Sequence, residues 1–442
     1  MLKRGGGCKE RLNLEKYLVH GGASLKGEVT ISGAKNAVAA ILPAVILADG
    51  QFTIENVPSI SDITVITKIL QSMGAKIRMV NRTTLSIDTT HITESEVPYD
   101  LTKRIRSSYY FLGASLGRYS SGVVSMPGGC DFGVRPIDQH IKGFEALGAE
   151  VTIDHGMIRA RAQSGRLVGS HVYFDVVSVG ATINVMLAAV RARGLTVLEN
   201  VAKEPHVVDL ANFLNAMGAD VRGAGTDVIK IYGVDKLHAV DYAAIPDQIE
   251  AGTYMVAAAA TGGDVLIKNV IPKHLESITA KLILAGANVE EYDDSVRVSR
   301  TGDLLRVNVK TLPHPGFPTD MQPQMTALLT VAKGTSIVTE GVFDNRFKYV
   351  EQLSRMGASI QVDGKVAVVE GVNGLTAAPV QANDLRAGAA LVIAALMAKG
   401  VTEIEEIQYV ERGYDNLVEK LRAMGADIRK ISVPDKTLPQ AL

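Results

Sequence analysis

One cysteine lies in a loop where chemistry is a better explanation than packing. Cys130 stands in Pro127-Gly-Gly-Cys-Asp-Phe-Gly-Val-Arg-Pro136, between glycines and five residues before Arg135. An isolated cysteine is more often a small hydrophobic residue of the core, but the apolar neighbour here is only Phe132. A nearby arginine favours the thiolate, which is the nucleophilic form. The sequence therefore predicts an exposed loop in which Cys130 has a chemical role.

An aspartate and three arginines in the second half of the chain are further candidates. Asp320 follows two prolines in His314-Pro-Gly-Phe-Pro-Thr-Asp and falls at a predicted helix start. It could cap that helix or act as a general base, and spacing alone leaves both interpretations open. Arg346, Arg386 and Arg412 each stand near a predicted turn. A single arginine at such a place is normally solvated, whereas three at recurring places mark candidate functional residues.

These residues belong to a wider pattern, because six predicted helices begin with polar or charged side chains. The starts are Lys35-Asn36, Arg104 with Arg106, Ser178 with Gly180, Asp247, Thr319-Asp320, and Asp384 with Arg386. Ser and Asp are ordinary N-caps. Lysine and arginine instead oppose the positive end of the helix dipole, so their presence suggests an anion that helix end and cation bind together. Six such helix ends facing one cleft would form a strong anion site.

A repeat explains how these helices recur. Each unit has a Gly-Ala pair after a helical stretch and before an alternating one. The glycines, 68 to 74 residues apart, are Gly74, Gly148, Gly218, Gly286, Gly357 and Gly425. The pattern predicts a helix ended by a left-handed glycine and then a half-buried strand. Ahead of each pair lies a β-rich run, and ahead of that an Ala-rich segment that is apolar on nearly all sides. Such helices are buried ones. The predicted buried helices are Lys35–Ala48, Arg106–Gly117, Ser178–Ala192, Asp247–Ala260, Thr319–Ala332 and Asp384–Ala398.

Six units could form a solenoid or two closed domains of three units each. Small Ala side chains let three helices crowd together, which favours two domains. We predict a seam near Ala244–Asp247 and a disordered polar tail over residues 1–14. The first domain covers residues 35–244 and includes the Cys130 loop. The second covers residues 15–34 and 245–442, because the first strand can close the last domain.

Composition excludes several classes of protein. The chain has 442 residues, 47% hydrophobic and 21% charged, with a net charge of −1, which argues against disorder and against nucleic-acid coating. Two cysteines cannot provide a disulfide framework, and the longest apolar runs are too short to span a bilayer. No phosphate-binding glycine loop, dinucleotide fingerprint or metal-ligand spacing occurs. We therefore expect a cytoplasmic protein without metal or cofactor and with no nucleic-acid or membrane partner.

Seven motifs in order identify a family that the chain resembles. They are Ile31-Ser-Gly-Ala-Lys-Asn-Ala37, Pro127-Gly-Gly-Cys130 with Arg135-Pro136, Ser178-Val-Gly-Ala-Thr182, Pro318-Thr-Asp-Met-Gln322, Asn345-Arg-Phe347, Asp384-Leu-Arg386 and Arg412-Gly-Tyr414. They resemble the UDP-N-acetylglucosamine 1-carboxyvinyltransferases, over about residues 15–430. The resemblance implies an α/β fold of two inside-out, barrel-like domains, each of three repeats around buried Ala-rich helices. It also implies transfer of the enolpyruvyl group of phosphoenolpyruvate to the 3-hydroxyl of UDP-N-acetylglucosamine. Phosphate is released through a tetrahedral intermediate, at the first committed step of peptidoglycan precursor synthesis.

The same resemblance assigns roles to individual residues. Cys130 would protonate carbon 3 of phosphoenolpyruvate or form an adduct, Asp320 would take or orient the proton of the sugar hydroxyl, and Lys35 is the third catalytic residue. The phosphoenolpyruvate contacts implied are Lys35, Asn36, Arg135, Arg346, Arg386 and Arg412. The UDP-N-acetylglucosamine contacts implied are Arg106, Arg135, Pro136, Ile137, Asp138, Gln139, Ser178, Val179, Gly180, Asp320 and Val342.

Departures from the family and rival hypotheses stand beside this assignment. Val176 and Gln248 replace a lysine and an arginine that some members carry, and the tail with Cys8 has no counterpart. The related enzyme of the shikimate pathway shares the fold but lacks the Pro-Gly-Gly-Cys loop. A non-catalytic binding paralogue is disfavoured because Cys130 and Asp320 are both present. An enzyme acting on RNA ends is disfavoured by net charge and scarce aromatic residues.

Overall fold

The computed structural model describes residues 13–434, apart from 94, 95, 98, 104 and 127–136. Its α-helices are α1 (Lys35–Ala44), α2 (Ser61–Ser72), α3 (Tyr99–Thr102), α4 (Tyr110–Tyr119), α5 (Asp138–Ala146), α6 (Val179–Ala189), α7 (Pro205–Ala216), α8 (Gln248–Ala260), α9 (Glu276–Leu284), α10 (Gln322–Leu329), α11 (Val350–Arg355), α12 (Leu385–Met397) and α13 (Leu417–Ala423). Short 3-10 helices cover Val45–Leu47, Arg106–Tyr109, Pro272–Leu275, Thr319–Met321 and Ile407–Arg412.

The predicted Ala-rich helices are confirmed as buried elements. Every residue of α10 and nearly every residue of α6, α8 and α12 is buried, including polar side chains such as Gln322, Gln324 and Glu250. In the second half of the chain α8, α10 and α12 contact one another, and in the first half α4 contacts both α1 and α6. Several helix boundaries differ from the predictions by a few residues. The helix expected over 106–117 starts as a 3-10 turn and runs on to Tyr119, where Ser120 adopts the left-handed conformation.

The repeating glycines have the predicted backbone conformation. All six have positive φ, between 84° and 114°, and lie directly after the amphipathic helices α2, α5, α7, α9, α11 and α13. Glycine reaches this region without the steric cost that a Cβ brings, so it ends the helix and turns the chain into the next strand.

Strands from the repeats form small outer sheets. The strands are β1 (Asn13–His20), β2 (Lys26–Thr30), β3 (Gln51–Glu55), β4 (Lys76–Asn81), β5 (Thr84–Asp88), β6 (Ser121–Ser125), β7 (Ala149–Asp154), β8 (Met157–Ala162), β9 (His171–Tyr173), β10 (Leu195–Glu199), β11 (Asp220–Arg222), β12 (Val228–Tyr232), β13 (Asp241–Ala243), β14 (Asp264–Lys268), β15 (Asn288–Glu291), β16 (Ser295–Ser299), β17 (Val309–Lys310), β18 (Thr335–Thr339), β19 (Ser359–Asp363), β20 (Val366–Glu370), β21 (Pro379–Gln381), β22 (Val401–Glu405) and β23 (Asp427–Pro434). The described residues form five four-stranded sheets and one three-stranded sheet. Burial alternates along strands such as β3 and β10, so one sheet face packs inward and the other meets solvent.

The N-terminal strands complete sheets of the last repeats. β1 lies between β22 and β23 and pairs antiparallel with both, in the order β21-β22-β1-β23. β2 adds a parallel edge to the β15-β16-β14 sheet. In the other direction, β13 crosses back as a parallel edge beside β3. Residues 13 and 14, which the sequence placed in a polar tail, instead form the start of β1, whereas residues 1–12 lie outside the described part.

The buried hydrophobic residues form two clusters. One runs from Ala34 to Ala244, and the other joins residues 17–31 to residues 249–428. We propose that each cluster is the core of one three-repeat domain. Ala-rich helices lie inside and the sheets outside, so the fold is α/β.

Two adjacent segments carry the chain between the clusters. Ala34 donates its N–H to the carbonyl of Ile245 at 2.7 Å, and Asp247 donates to the carbonyl of Ser32 at 2.9 Å. The Glu250 carboxylate accepts the N–H of Ser32 at 2.8 Å and pairs with Lys420 at 2.6 Å. These contacts place the start of α1 beside the start of α8. No described helix is long and apolar enough to cross a membrane.

Candidate functional site

A buried cluster of opposite charges lies at the start of α1. Lys35, the first residue of α1, places its Nζ 2.7 Å from Oδ2 of Asp62 in the first turn of α2. Arg412, at the end of a 3-10 helix in the second half of the chain, donates from Nε to Oδ1 of the same carboxylate at 2.9 Å. One carboxylate therefore joins cations from both halves of the chain.

The pKa values of this cluster follow from burial and charge. Burial lowers the pKa of Lys35 below its ordinary value, Asp62 opposes that change, and Arg386 and Arg412 add to it. Burial alone would raise the pKa of Asp62, but Lys35 and Arg412 outweigh it and hold that pKa below its ordinary value. Asp62 thus remains ionised among cations that would otherwise repel one another.

A second carboxylate, Asp320, lies between two buried arginines. Its Oδ1 is 3.3 Å from Nη2 of Arg346, and its Oδ2 accepts from Nε of Arg386 at 3.2 Å. The two arginine side chains are only 1% and 4% exposed, whereas that of Asp320 is 30% exposed. The residue preceding the 3-10 turn is Pro318, and no side chain caps that turn. Asp320 therefore faces accessible space while its charge is held by two fixed guanidinium groups.

The Arg386 side chain packs on a buried tyrosine. Its guanidinium lies 5.4 Å from the centre of the Tyr414 ring. The hydroxyl of Tyr414 is 2.9 Å from Oγ1 of Thr253 and accepts from Gln324 at 3.2 Å. Burial disfavours the charge of Arg386, but Tyr414 and Asp320 outweigh burial and raise its pKa above the ordinary value. The guanidinium is therefore permanently charged and held by packing on one face.

The candidates in the first half gather around the starts of α5 and α6. Ser178 caps α6 by accepting the N–H of Ala181 at 3.2 Å. At Gly180 an added Cβ would lie 2.6 Å from the hydroxyl of Tyr109, so only glycine fits this approach. The guanidinium of Arg106 lies 6.0 Å from the centre of the Tyr109 ring.

The beginning of α5 contributes the other members of this group. Ile137 precedes the helix, and Asp138 is its first residue. Gln139 is buried and donates to both Asp138 and Asp175, at 3.0 and 3.1 Å. It also accepts the N–H of Asp175 at 2.9 Å. These bonds join the start of α5 to the segment that leads into α6.

His140 anchors the same region as a neutral imidazole. The Asn184 amide accepts the N–H of Gly113 at 2.8 Å through Oδ1, so its Nδ2 is the group that donates 3.1 Å to Nδ1 of His140. Burial, with a smaller effect of Arg106, lowers the pKa of His140 to about 3. The folded chain therefore binds fewer protons than the unfolded chain between about pH 3 and pH 6.5. The stabilising contribution of neutral His140 is complete above that range and is lost as pH falls through it.

We expect a His140→Gln variant to be less sensitive to acid than the wild type. Between pH 7.5 and pH 4.5 the wild type should lose about 3 kcal/mol of unfolding free energy through this group. Over the same pH range the variant should lose about 3 kcal/mol less unfolding free energy than the wild type. Urea unfolding of both proteins at the two pH values measures the difference. His155→Gln is the matched control, because the His155 side chain is 91% exposed. Equal pH dependence in all three proteins would contradict the assignment.

Some predicted site residues have no described geometry. Cys130, Arg135 and Pro136 lie outside the described residues.

The other predicted site residues are described. Asn36 is half-buried next to Lys35, and Val179 is the first residue of α6. Val342 is exposed and donates its N–H to Glu340 at 2.9 Å. The N-capping expected of Ser and Asp at helix starts is confirmed for Ser178, Asp247 and Asp384, whose side chains accept N–H groups of their own helices.

Two residues that hold the cations in place, Asp62 and Tyr414, were not predicted from the sequence. Asp62 looks like an ordinary acidic residue in a helix first turn, and Tyr414 was noted only as part of a motif. The signal for Asp62 was its buried position on the apolar face of an amphipathic helix, where an unpaired carboxylate would be costly. Among the described residues no group of His, Cys, Asp and Glu could hold a metal ion. The arrangement can bind an anion of high charge beside a carboxylate able to accept a proton.

Comparison with known proteins gives the family. The model of the EPSP synthase family, 3-phosphoshikimate 1-carboxyvinyltransferase, matches residues 19–421. UDP-N-acetylglucosamine 1-carboxyvinyltransferase 3 of Caldanaerobacter subterraneus subsp. tengcongensis is 58% identical over 418 residues, covering 95% of this chain and 100% of that protein. UDP-N-acetylglucosamine 1-carboxyvinyltransferase of Clostridium botulinum is 56% identical over 419 residues, with 95% and 100% covered.

Solved structures agree with this relationship. The crystal structure of the enolpyruvyl transferase NikO from Streptomyces tendae has a TM-score of 0.86 and 28% identity, covering 96% of this chain and 100% of that one. EPSP synthase from Acinetobacter baumannii shares the fold, with a TM-score of 0.73 at 18% identity over 95% of this chain and 100% of that one. The resemblance drawn from the seven motifs is confirmed, and the chain belongs to the UDP-N-acetylglucosamine 1-carboxyvinyltransferases within the enolpyruvyl transferase family.

Proposed function

We propose that this protein transfers the enolpyruvyl group of phosphoenolpyruvate to the 3-hydroxyl of UDP-N-acetylglucosamine and releases phosphate. The observation that carries the proposal is the convergence of Lys35, Arg386 and Arg412 beside Asp320, in a chain whose full-length relatives bear that enzyme's name. Phosphoenolpyruvate is small and highly charged, so a set of fixed cations is the physical requirement for holding it.

The cations divide into two groups around the substrate. Lys35 and Arg412, with Arg135, would hold the phosphate, since the first two already meet on one carboxylate. Arg346 and Arg386 would hold the carboxylate of phosphoenolpyruvate, and Asn36 would contact both substrates. Burial of the two arginines supports this division, because a desolvated guanidinium binds an anion more strongly than one in water.

The chemistry needs one acid and one base. Protonation of carbon 3 of phosphoenolpyruvate, assigned to Cys130, makes carbon 2 open to attack by the sugar hydroxyl. Asp320 accepts the hydroxyl proton as the new carbon–oxygen bond forms, which gives a tetrahedral intermediate. Loss of phosphate and of a proton from carbon 3 restores the double bond. The accessible carboxylate of Asp320 suits this role, because two buried arginines hold it in place.

The sugar nucleotide would lie along the first-half group. Its contacts would come from Arg106, from the segment through Gln139 and from the start of α6, with Asp320 and Val342 completing the site from the other half. The N–H groups of Val179 and Gly180 at the start of α6 can contribute hydrogen bonds to its diphosphate. We also propose a cytoplasmic location, where both substrates would be available, and no nucleic-acid or membrane partner.

Phosphate release from phosphoenolpyruvate tests this function. We expect release with UDP-N-acetylglucosamine as acceptor and none with shikimate 3-phosphate. Release with the second acceptor alone would assign the chain to the other branch of the family. Release with neither, while UDP-N-acetylglucosamine still raises the melting temperature, would identify a binding protein and overturn the catalytic proposal.

A Cys130→Ser variant tests the assigned acid in the same assay. Serine is a far weaker acid than cysteine, so we expect kcat to fall about 100-fold, within the range of general acid catalysis. Cys8→Ser is the matched control and should behave as the wild type, because no role is assigned to that residue. Wild-type kcat in Cys130→Ser would remove Cys130 from the mechanism.

A further inference from the structure

The turn that follows Arg412 is fastened to the opposite half of the chain. Asp415 accepts the N–H of Ser59 through Oδ2 at 3.2 Å, and its Oδ1 lies 3.2 Å from Nη2 of Arg82. Its side chain is only 6% exposed. Ser59 and Arg82 come from the segments around α2 and between β4 and β5, so these contacts join the two hydrophobic clusters.

The same turn is anchored on its own side by packing and hydrogen bonds. An added Cβ on Gly413 would lie 2.6 Å from a methyl of Leu385, so its backbone packs directly on the start of α12. Tyr414 is buried, with its hydroxyl 2.9 Å from Thr253 and 3.2 Å from Gln324. Residues 412–415 therefore contact both halves of the chain.

Both contacts with the first half of the chain are made to one short segment. Asp415 holds the backbone of Ser59, and Arg412 pairs with Asp62 only three residues later. The Asp62 carboxylate is also the partner of Lys35. The distance between Arg412 and Lys35 thus depends on how the turn is seated on this segment.

We propose that Asp415 is a positioning residue, which seats the Arg412 turn against Ser59 and thereby holds the Arg412 guanidinium at the anion site. This inference rests on the proposed function, because the anion is taken to be phosphoenolpyruvate. The important bond is the charge-assisted one from the Ser59 N–H to the buried Asp415 carboxylate. Arg82 contributes little, because its side chain is 62% exposed and exposed ion pairs are weak.

Steady-state kinetics separates positioning from general stability. Asp415→Ala should raise KM for phosphoenolpyruvate on the order of tenfold, as loss of a charge-assisted hydrogen bond would, with little change in KM for UDP-N-acetylglucosamine. Asp415→Asn keeps an acceptor for the Ser59 N–H and should restore most of the affinity. Arg82→Ala is the matched control and should match the wild type. An equal rise in both KM values would overturn the proposal.

A double-mutant cycle tests whether Asp415 acts through Arg412. In an Arg412→Ala background, Asp415→Ala should change KM for phosphoenolpyruvate by no more than about twofold, because the positioned group is already absent. Additive effects of the two substitutions would show that Asp415 acts by another route and would overturn the proposal.

Hydrogen exchange tests the contact without any activity. The Ser59 amide should exchange slowly in the wild type and in Asp415→Asn, and faster in Asp415→Ala. Fast exchange in the wild type would overturn the positioning role. A wild type that releases no phosphate but protects Ser59 would overturn the proposed function alone, so the two failures are distinguishable.

Discussion

Replacing Asp320 with asparagine should lower kcat about 1,000-fold, within the range expected for loss of a general base. The side chain keeps its size, but the amide cannot take up the hydroxyl proton. It also cannot accept from both Arg346 and Arg386, since its NH2 group is a donor. Phosphate release with saturating substrates measures the effect.

Two observations keep this result interpretable. UDP-N-acetylglucosamine should still raise the melting temperature of Asp320→Asn, because most of its assigned contacts lie in the first half of the chain. Asp344→Asn is the matched control, since the Asp344 side chain is 75% exposed and its partner Lys365 is also at the surface. If kcat of Asp320→Asn stayed within about threefold of the wild type, Asp320 would not be the base.

Lys35→Met should lower kcat/KM for phosphoenolpyruvate by about 1,000-fold, as expected when a preorganised charge at the reacting group is removed. Methionine preserves the length and apolar stem of lysine but removes the ammonium that now lies 2.7 Å from Asp62. Asp62 would then keep Arg412 as its cation, and the phosphate would meet a more negative site. Initial rates at low phosphoenolpyruvate concentration provide the measurement.

The controls for Lys35 separate its charge from its place in the fold. Lys273→Met should leave kcat/KM unchanged, because Lys273 is exposed and pairs with the neighbouring Glu276 at the surface. Lys35→Arg should fall between wild type and Lys35→Met, since the charge remains but the wider guanidinium does not fit the same place. Equal rates for Lys35→Met and wild type would exclude a contact with the phosphate.

Alkaline pH should lower kcat/KM for phosphoenolpyruvate through the same residue, Lys35. Because burial lowers the pKa of Lys35, its ammonium loses the proton at a lower pH than an ordinary lysine. The charged form is the one that binds phosphate, so kcat/KM for phosphoenolpyruvate in the wild type should fall as pH rises. Lys35→Arg should resist this fall, because arginine stays protonated.

The repeat architecture could be predicted from local signals. A glycine is required wherever a helix ends in the left-handed conformation, so the six Gly-Ala pairs mark six helix ends that the structure confirms at positive φ. Ala-rich segments without a polar face must be buried, and each one became a buried helix. The motif residues also sufficed to identify the family, because their types and order are specific.

The sequence by itself also determined which cations and carboxylates are available for chemistry. It could not determine their pairing, because Lys35 and Asp62 meet only when two helices of the first repeat pack together, and Arg412 reaches them from the last repeat. The choice between capping and catalysis also depended on tertiary structure. Ser178 and Asp320 both stand at helix starts, yet Ser178 accepts a backbone N–H of its own helix, whereas Asp320 meets Arg346 of its own repeat and Arg386 of the next one. Only tertiary structure decides such cases, because a carboxylate's role depends on which charges lie within a few ångströms and how much water remains around it.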